Sequence, residues 1–353
     1  MTRRAFIAAA ASAPALAACT HFSDRYRSFD VNALASTLGV CAATYAVLRR
    51  GTAEEPRAIS GCLSPETVDP HSIFQAASLT KPVIAYGCLR LVRDTGLVLD
   101  APVSRYLSNG YLHRQNLFET EAAPVTDLVS AATLGRISLR SLLRHSSGLP
   151  NWSSGPLVLN PTQGERWQYS GEGYVLLQRV IEAVTGMELD AYFLQQVFAP
   201  IGMRSSGLRW NSMFGGRAVI GTSAPDHPRQ HRFVEPVAAA SLYTTADDYS
   251  RFLSALLADE SVMKLTVTEP ITADADLGLD WGLGWGLERG PGGPYLWQWG
   301  NNPGFRAFAM VSESSKDGFV VLTNSERGMP LAVPIANTVL PGRHNAFKFH
   351  MVG

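Results

Sequence analysis

Phe74-Gln75-Ala76-Ala77-Ser78-Leu79-Thr80-Lys81-Pro82 is the stretch from which the rest of this chain can be read. From Ser78 to Val92 the apolar residues Val83, Ile84, Tyr86, Leu89, Leu91 and Val92 predict a largely buried helix. Pro82 is tolerated there because the N–H it lacks would have no partner in a first helical turn. Serine and lysine three residues apart at a helix start share a face, so the amine reaches the hydroxyl and the helix N-terminus favours the anion formed there. A serine is a weak nucleophile until a base takes its proton, and a lysine serves once burial or a nearby cation lowers its pKa. Arginine, always charged, could not do this.

The chain has four lysines, at 81, 264, 316 and 348. A second Ser-x-x-Lys, Ser261-Val262-Met263-Lys264, follows Asp259-Glu260 in what reads as a polar linker, with Lys264 in solvent. Lys81 instead lies in an otherwise uncharged run from Phe74 to Leu89. Taken alone, the dyad competes evenly with a lysine that merely snorkels out of the core.

Working outward, Val40 to Leu48 and Ala58 to Leu63 predict two strands around a charged turn. Helices are expected at Asp100–Leu107, Ser138–Arg144, Gly173–Val184, Leu189–Val197 and, capped by Thr244 or Thr245, Ala246–Leu257. Strands are expected at Trp281–Glu288, Tyr295–Trp299, Arg306–Val311 and Phe319–Thr323, with loops short enough for antiparallel pairing, and a last helix at Leu331–Val339. The fold class is mixed α/β, an antiparallel sheet flanked by helices with a mainly helical subdomain. Its expected parts are an export signal with lipobox over 1–19, a tether over 20–34, an α/β domain from 35–80 and 235–345, and the helical subdomain over 81–234.

At 353 residues, 46% hydrophobic and 17% charged, with 30 Lys+Arg against 30 Asp+Glu, the chain can bury a full core and lacks the basic excess of a nucleic-acid binder. A small molecule is the expected partner. Thr2-Arg3-Arg4-Ala5-Phe6-Ile7 has the form of a twin-arginine signal, and Leu16-Ala17-Ala18-Cys19 that of a lipoprotein cleavage box. The expectation is export to the periplasm and a lipid anchor at Cys19, the chain's one attachment to membrane; an ordinary signal cleaved nearby is the alternative. Cys41, Cys62 and Cys88 remain, and both a Cys41–Cys62 bridge and buried free thiols stay open. The chain has no Gly-x-Ser-x-Gly and no His-Glu-x-x-His. His227-Pro228-Arg229-Gln230-His231 has no placed third ligand. Neither a metal nor an organic cofactor is expected.

Phe74 to Pro82 resembles the first motif of the serine β-lactamase and penicillin-binding-protein superfamily, in particular its class C β-lactamase, D-peptidase and esterase branch. Four more stretches resemble that family in order: Leu142 to Pro150, Trp167 to Tyr174, Ala240 to Asp248, and Trp297 to Phe305. The resemblance covers roughly residues 35 to 340. It implies a monomeric serine hydrolase that forms an acyl-enzyme at Ser78, with Lys81 as base and Tyr169 carrying the proton to the leaving group. It also implies an oxyanion hole from the backbone N–H groups of Ser78 and Asn301, with Gln298, Trp299, Gly300, Gly171 and Arg306 around the substrate. His145 is read as a structural histidine.

Two departures bear on substrate. The third motif usually opens with Lys or His where this chain has Gln298, and the usual Asn of the second motif is Gly171. Both favour a less polar acyl donor, hence an esterase-like hydrolase of small ester, amide or lactam substrates. A D-amino-acid peptidase on wall peptides, or a non-catalytic ligand sensor, are the alternatives.

Overall fold

The computed structural model describes residues 26–62, 68–118, 123–160, 164–224, 227–229 and 232–352. The signal-like segment, Cys19 and His231 lie outside the described residues.

Nine strands form the main sheet: β1 (Ala43–Arg49), β2 (Thr52–Ala53), β3 (Arg57–Ile59), β4 (Ile271–Asp274), β5 (Leu279–Trp281), β6 (Gly286–Gly290), β7 (Gly293–Asn302), β8 (Phe305–Ser312) and β9 (Gly318–Thr323). Their order is β4-β5-β6-β7-β8-β9-β1-β2, with β3 also on β1, and every pairing is antiparallel. The first and last parts of the chain therefore meet in one sheet at β1 and β9, where Ala43 faces Thr323 and Leu48 faces Gly318. Period-2 alternation sends side chains to two cores. Ala307, Ala309, Val311, Val320 and Leu322 pack on one face, and Phe308, Met310, Phe319 and Val321 on the other.

The first face is covered by α2 (Thr80–Thr95) and α4 (Ala246–Ala258), the second by α1 (Val31–Leu38) and α6 (Ala332–Val339). Between α2 and α4 in sequence come the short helices Leu139–Leu143 and Leu189–Phe193 and the longer α3 (Gly171–Thr185). Local chemistry sets the helix ends. Asp30 accepts from Asn32 N and Ala33 N at the start of α1, Ser170 from Gly173 N at α3, and Thr245, not Thr244, from Asp248 N at α4. Gly39, Gly96 and Gly186, all at positive φ, end α1, α2 and α3.

Several expectations are corrected. The stretch expected as a tether contains the start of α1, because Leu34 is apolar and finds a place against the sheet. Asp100–Leu107 yields only a single 3₁₀ turn, Val103–Arg105, since extended Pro102 precedes it. Trp281–Glu288 is two strands, not one. The chain reverses at Gly282–Trp285, where Gly284 has φ 92° and a Cβ there would overlap Ala85 of α2. Ser261-Val262-Met263-Lys264 belongs to a helix, α5 (Glu260–Val267), capped by Asp259, although Lys264 is exposed as expected. A hairpin of Tyr111–Arg114 with Thr126–Val129 was not foreseen. Cys41 and Cys62 form a disulfide, and Cys88 is a buried thiol.

Candidate active site

Ser78 sits in a 3₁₀ turn, Ala77–Leu79, between the short strand Phe74–Gln75 and α2. Ala77 has φ 51°, a left-handed backbone that costs a non-glycine residue about 1–2 kcal/mol. Neighbouring segments hold that bend in place. Ala76 N donates to Leu242 O at 2.8 Å, Leu242 N to Thr80 Oγ1 at 2.9 Å, and Tyr249 Oη to Leu79 O at 3.1 Å. The Ala240–Asp248 motif is thus the clamp on the nucleophile's turn. It is closed further by Asn302, whose Nδ2 donates to Gln75 Oε1 and Ala240 O.

Lys81 is 1% exposed. Its Nζ lies 3.0 Å from Ser78 Oγ and 2.8 Å from Ala239 O, and 4.7 Å from the centre of the Tyr169 ring. No carboxylate pairs with it among the described residues. Burial therefore holds its pKa well below the ordinary lysine value. Tyr169 is pushed the other way: burial raises its phenol, and hydrogen bonds with Ser78 and Gln298 only partly offset this. An amine whose charged form burial disfavours and a phenol whose proton burial helps to hold lie beside one serine hydroxyl, an arrangement suited to moving a proton from Ser78 to a leaving group.

Tyr169 is fixed by aromatic packing on Trp299, with ring centres 4.9 Å apart, and on His145 at 4.5 Å. His145 is fully buried, and its Nδ1 accepts from Ser170 N at 3.1 Å. Burial above all lowers the pKa of the imidazole well below its ordinary value. It faces ring edges, not solvent, and its place is the frame around Tyr169.

The other sequence-expected positions separate. Trp299, Asn301 and Arg306 line, with Ser78 and Tyr169, a cleft of about 1220 Å³. Gln298 does not: it is buried at 0% exposure, and its Nε2 donates to Tyr169 Oη (3.3 Å) and Trp299 O (3.0 Å). On a strand whose neighbours alternate sides, position 298 points inward to the phenol, so Gln298 holds Tyr169 and does not meet solvent-borne substrate. Gly300 was read as room for substrate, yet the close approach is internal. A Cβ there would overlap Ala76 O and lie 3.2 Å from Ala77 Cβ. Gly171 opens α3 and is covered by Trp152. Arg306 is half-buried, with Nη1 donating to Asn302 O and Phe305 O.

Sequence reasoning missed Phe118, Trp152, Phe233 and Asn151, all of which line the cleft. Asn151-Trp152 directly follows the Leu142–Pro150 motif, which was the available signal. His350, Met351 and Val352 also reach the cleft, beyond the expected limit of the α/β domain.

The antiparallel sheet, the helical subdomain and the Ser78–Lys81–Tyr169 cluster between them define a serine β-lactamase-fold protein. The chain belongs to the β-lactamase family, whose profile matches residues 43–339. It is similar to esterase EstB of Burkholderia gladioli, 28% identical over 278 residues that make up 63% of this chain and 64% of that protein. It is also similar to a penicillin-binding protein of Bacillus subtilis (strain 168), 28% identical over 161 residues, 38% of this chain and 30% of that one. The chain thus spans less than two thirds of the length of either relative. A class C β-lactamase structure shares its fold at 16% identity and a TM-score of 0.70, covering 91% of this chain and 97% of that one. So does the D-amino acid amidase from Ochrobactrum anthropi SV3, at 21% identity, a TM-score of 0.67, and 90% and 99% coverage.

Proposed function

We propose that this chain is a serine esterase that works through an acyl-enzyme on Ser78, as a monomer whose cleft is completed within one chain. The observation that carries the reading is the buried Lys81 amine, 3.0 Å from Ser78 Oγ, with no carboxylate paired to it among the described residues. Neutral Lys81 takes the Ser78 proton as Oγ bonds to the acyl carbon. The N–H groups of Ser78 and Asn301 receive the developing oxyanion. The proton passes through Tyr169 to the departing alkoxide as the C–O bond breaks, and water then adds to the acyl carbon and releases the acid, returning the proton to Ser78. Preference for esters over lactams follows from the buried Gln298 and from Trp152 over Gly171, which leave aromatic surface where a polar anchor would stand.

The test is the time course of p-nitrophenyl butyrate hydrolysis by wild type and Ser78→Ala, with a chromogenic cephalosporin in parallel. Ester turnover lost by about 10⁴-fold or more in Ser78→Ala, with little cephalosporin cleavage, is the expected result. Equal inactivity of both proteins on every substrate would instead favour a ligand sensor.

We further propose export and lipid attachment at Cys19, supported by the Cys41–Cys62 disulfide, a bond that persists in oxidising compartments. Metabolic labelling with a radioactive fatty acid is expected to mark the wild-type chain and to leave Cys19→Ala unmarked. Equal labelling of the two would rule out Cys19 as the attachment point.

A further inference from the structure

The end of the cleft beside α3 is built from rings. Trp152 and Phe118 meet edge to face with centres 4.7 Å apart, and Phe233 meets Phe118 at 6.2 Å. All three line the same cleft as Ser78 and Tyr169. Trp152 is 37% and Phe118 40% exposed, so part of the ring surface remains accessible.

The position of Trp152 depends on the glycine beneath it. A Cβ at Gly171 would lie 2.5 Å from Trp152 Cη2 and 2.7 Å from Cζ2, so the indole edge fills the volume a side chain at 171 would take. The flanking backbone is pinned. Asn151 O accepts from Gly171 N and Glu172 N, and Ser153 N donates to the buried Glu172 Oε1 at 3.0 Å. His113 lies against that carboxylate, with Nε2 3.4 Å from Glu172 Oε2, and is itself held through Nδ1, 2.7 Å from Asp127 Oδ1. The wall is therefore pre-formed, which spares a ligand the cost of ordering it.

At the foot of the wall lies one polar group with a free hand. Asn151 Oδ1 accepts from Gly171 N at 3.1 Å, which fixes the orientation of the carboxamide. Its Nδ2 makes no hydrogen bond with any described residue, and Asn151 lines the cleft. A donor held in place beside exposed ring faces matches a flat aromatic group that carries an oxygen acceptor.

Resting on the esterase reading above, we propose that Trp152 and Asn151 are specificity-determining residues that select aryl esters. Trp152 and Phe118 hold an aromatic ring of the substrate, and Asn151 Nδ2 donates to a methoxy, hydroxyl or carbonyl oxygen on or beside it.

The test compares kcat/KM of the full chain on matched esters. Ethyl 3-(4-methoxyphenyl)propanoate against ethyl 3-cyclohexylpropanoate places the ring in the acyl half. Likewise 4-methoxybenzyl acetate against cyclohexylmethyl acetate places it in the alcohol half. Wild type is expected to favour the aryl ester by about fivefold to tenfold in one arm, which identifies the half that the wall reads. Trp152→Leu is expected to bring that ratio to near one, and Trp152→Phe to keep part of it. Asn151→Asp keeps the acceptor for Gly171 N but lacks the donor, and is expected to lower the ratio of methoxyphenyl to unsubstituted phenyl ester. Equal wild-type rates on aryl and cyclohexyl esters in both arms would overturn the proposal whatever the variants do, as would a preference that survives in a folded Trp152→Leu. If wild type and Ser78→Ala are equally inactive on all four esters, the esterase reading fails and takes this one with it.

Discussion

Lys81→Met is expected to lower kcat/KM for p-nitrophenyl butyrate by roughly 10³- to 10⁴-fold, the upper range for a positioned base. The same variant is expected to melt about 2–4 °C higher than wild type. Both effects have one cause. The wild-type amine is buried with no carboxylate partner among the described residues, so its folded pKa lies well below its unfolded one. In the window between the two, the unfolded chain carries a proton at Lys81 that the folded chain does not, so wild-type stability rises with pH and the deficit ends only above the unfolded value. Methionine fills the same channel with no charge to lose, although it leaves Ala239 O without its donor, which offsets part of the gain. The gain in melting temperature should thus be larger at pH 6 than at pH 9. For activity the sign is the same: in the proposed mechanism the unprotonated amine is the active form, so kcat/KM is expected to rise with pH through one ionisation below the ordinary lysine range. It stays high until the Tyr169 phenol, raised by burial, begins to ionise. Lys81→Arg should be inactive at every pH, because a guanidinium does not give up its proton. Retention of a tenth of the activity in Lys81→Met, or a melting difference independent of pH, would remove Lys81 from this role.

Gly300→Ala is expected to cost about 100-fold in kcat/KM and about 1–3 kcal/mol of stability. The added methyl would overlap Ala76 O and press on Ala77 Cβ at 3.2 Å and Ala307 Cβ at 3.1 Å. Neither side can give way cheaply. Ala76 is bonded through its N–H to Leu242 and through its carbonyl to Leu79 N, while β7 is held by β8, with Gly300 opposite Ala307. The strand end carrying Asn301 must then retreat from the turn carrying Ser78, and a displacement of about an ångström separates the two backbone donors from a shared oxyanion. Kinetics and thermal melts of the purified variant check this; activity within threefold of wild type would show that the approach of β7 to the turn is not needed.

Where the sequence was legible, a short-range physical signal stood behind it. Apolar patterning marked α2, Thr244 or Thr245 marked the start of α4, and apolar runs between short loops marked β7, β8 and β9. The failures have local causes as well. Asp100–Leu107 looked helical until Pro102 took an extended backbone, and the run from Trp281 to Glu288 hid a reversal at Gly284 whose reason lies on α2, far away in the chain. Gln298 was assigned to the substrate because its motif position is usually polar, and only the register of β7 shows that this side chain turns inward to Tyr169.

By itself the sequence determined the dyad. Ser78 and Lys81 are three apart, one in the 3₁₀ turn Ala77–Leu79 and the other in the first turn of α2, and their meeting needs only the helical geometry of a few consecutive residues. It narrowed the cap of α4 to Thr244 or Thr245 for the same reason, since a cap involves residues within a turn of one another. The tertiary structure alone decided whatever depends on segments brought together from afar. It left Lys81 with no carboxylate partner among the described residues, set Tyr169 across from it, let Ala76 fit only against a glycine at 300, and laid Trp152 into the space left by Gly171. Those outcomes rest on burial and steric exclusion between distant parts of the chain, which no local pattern of residues records.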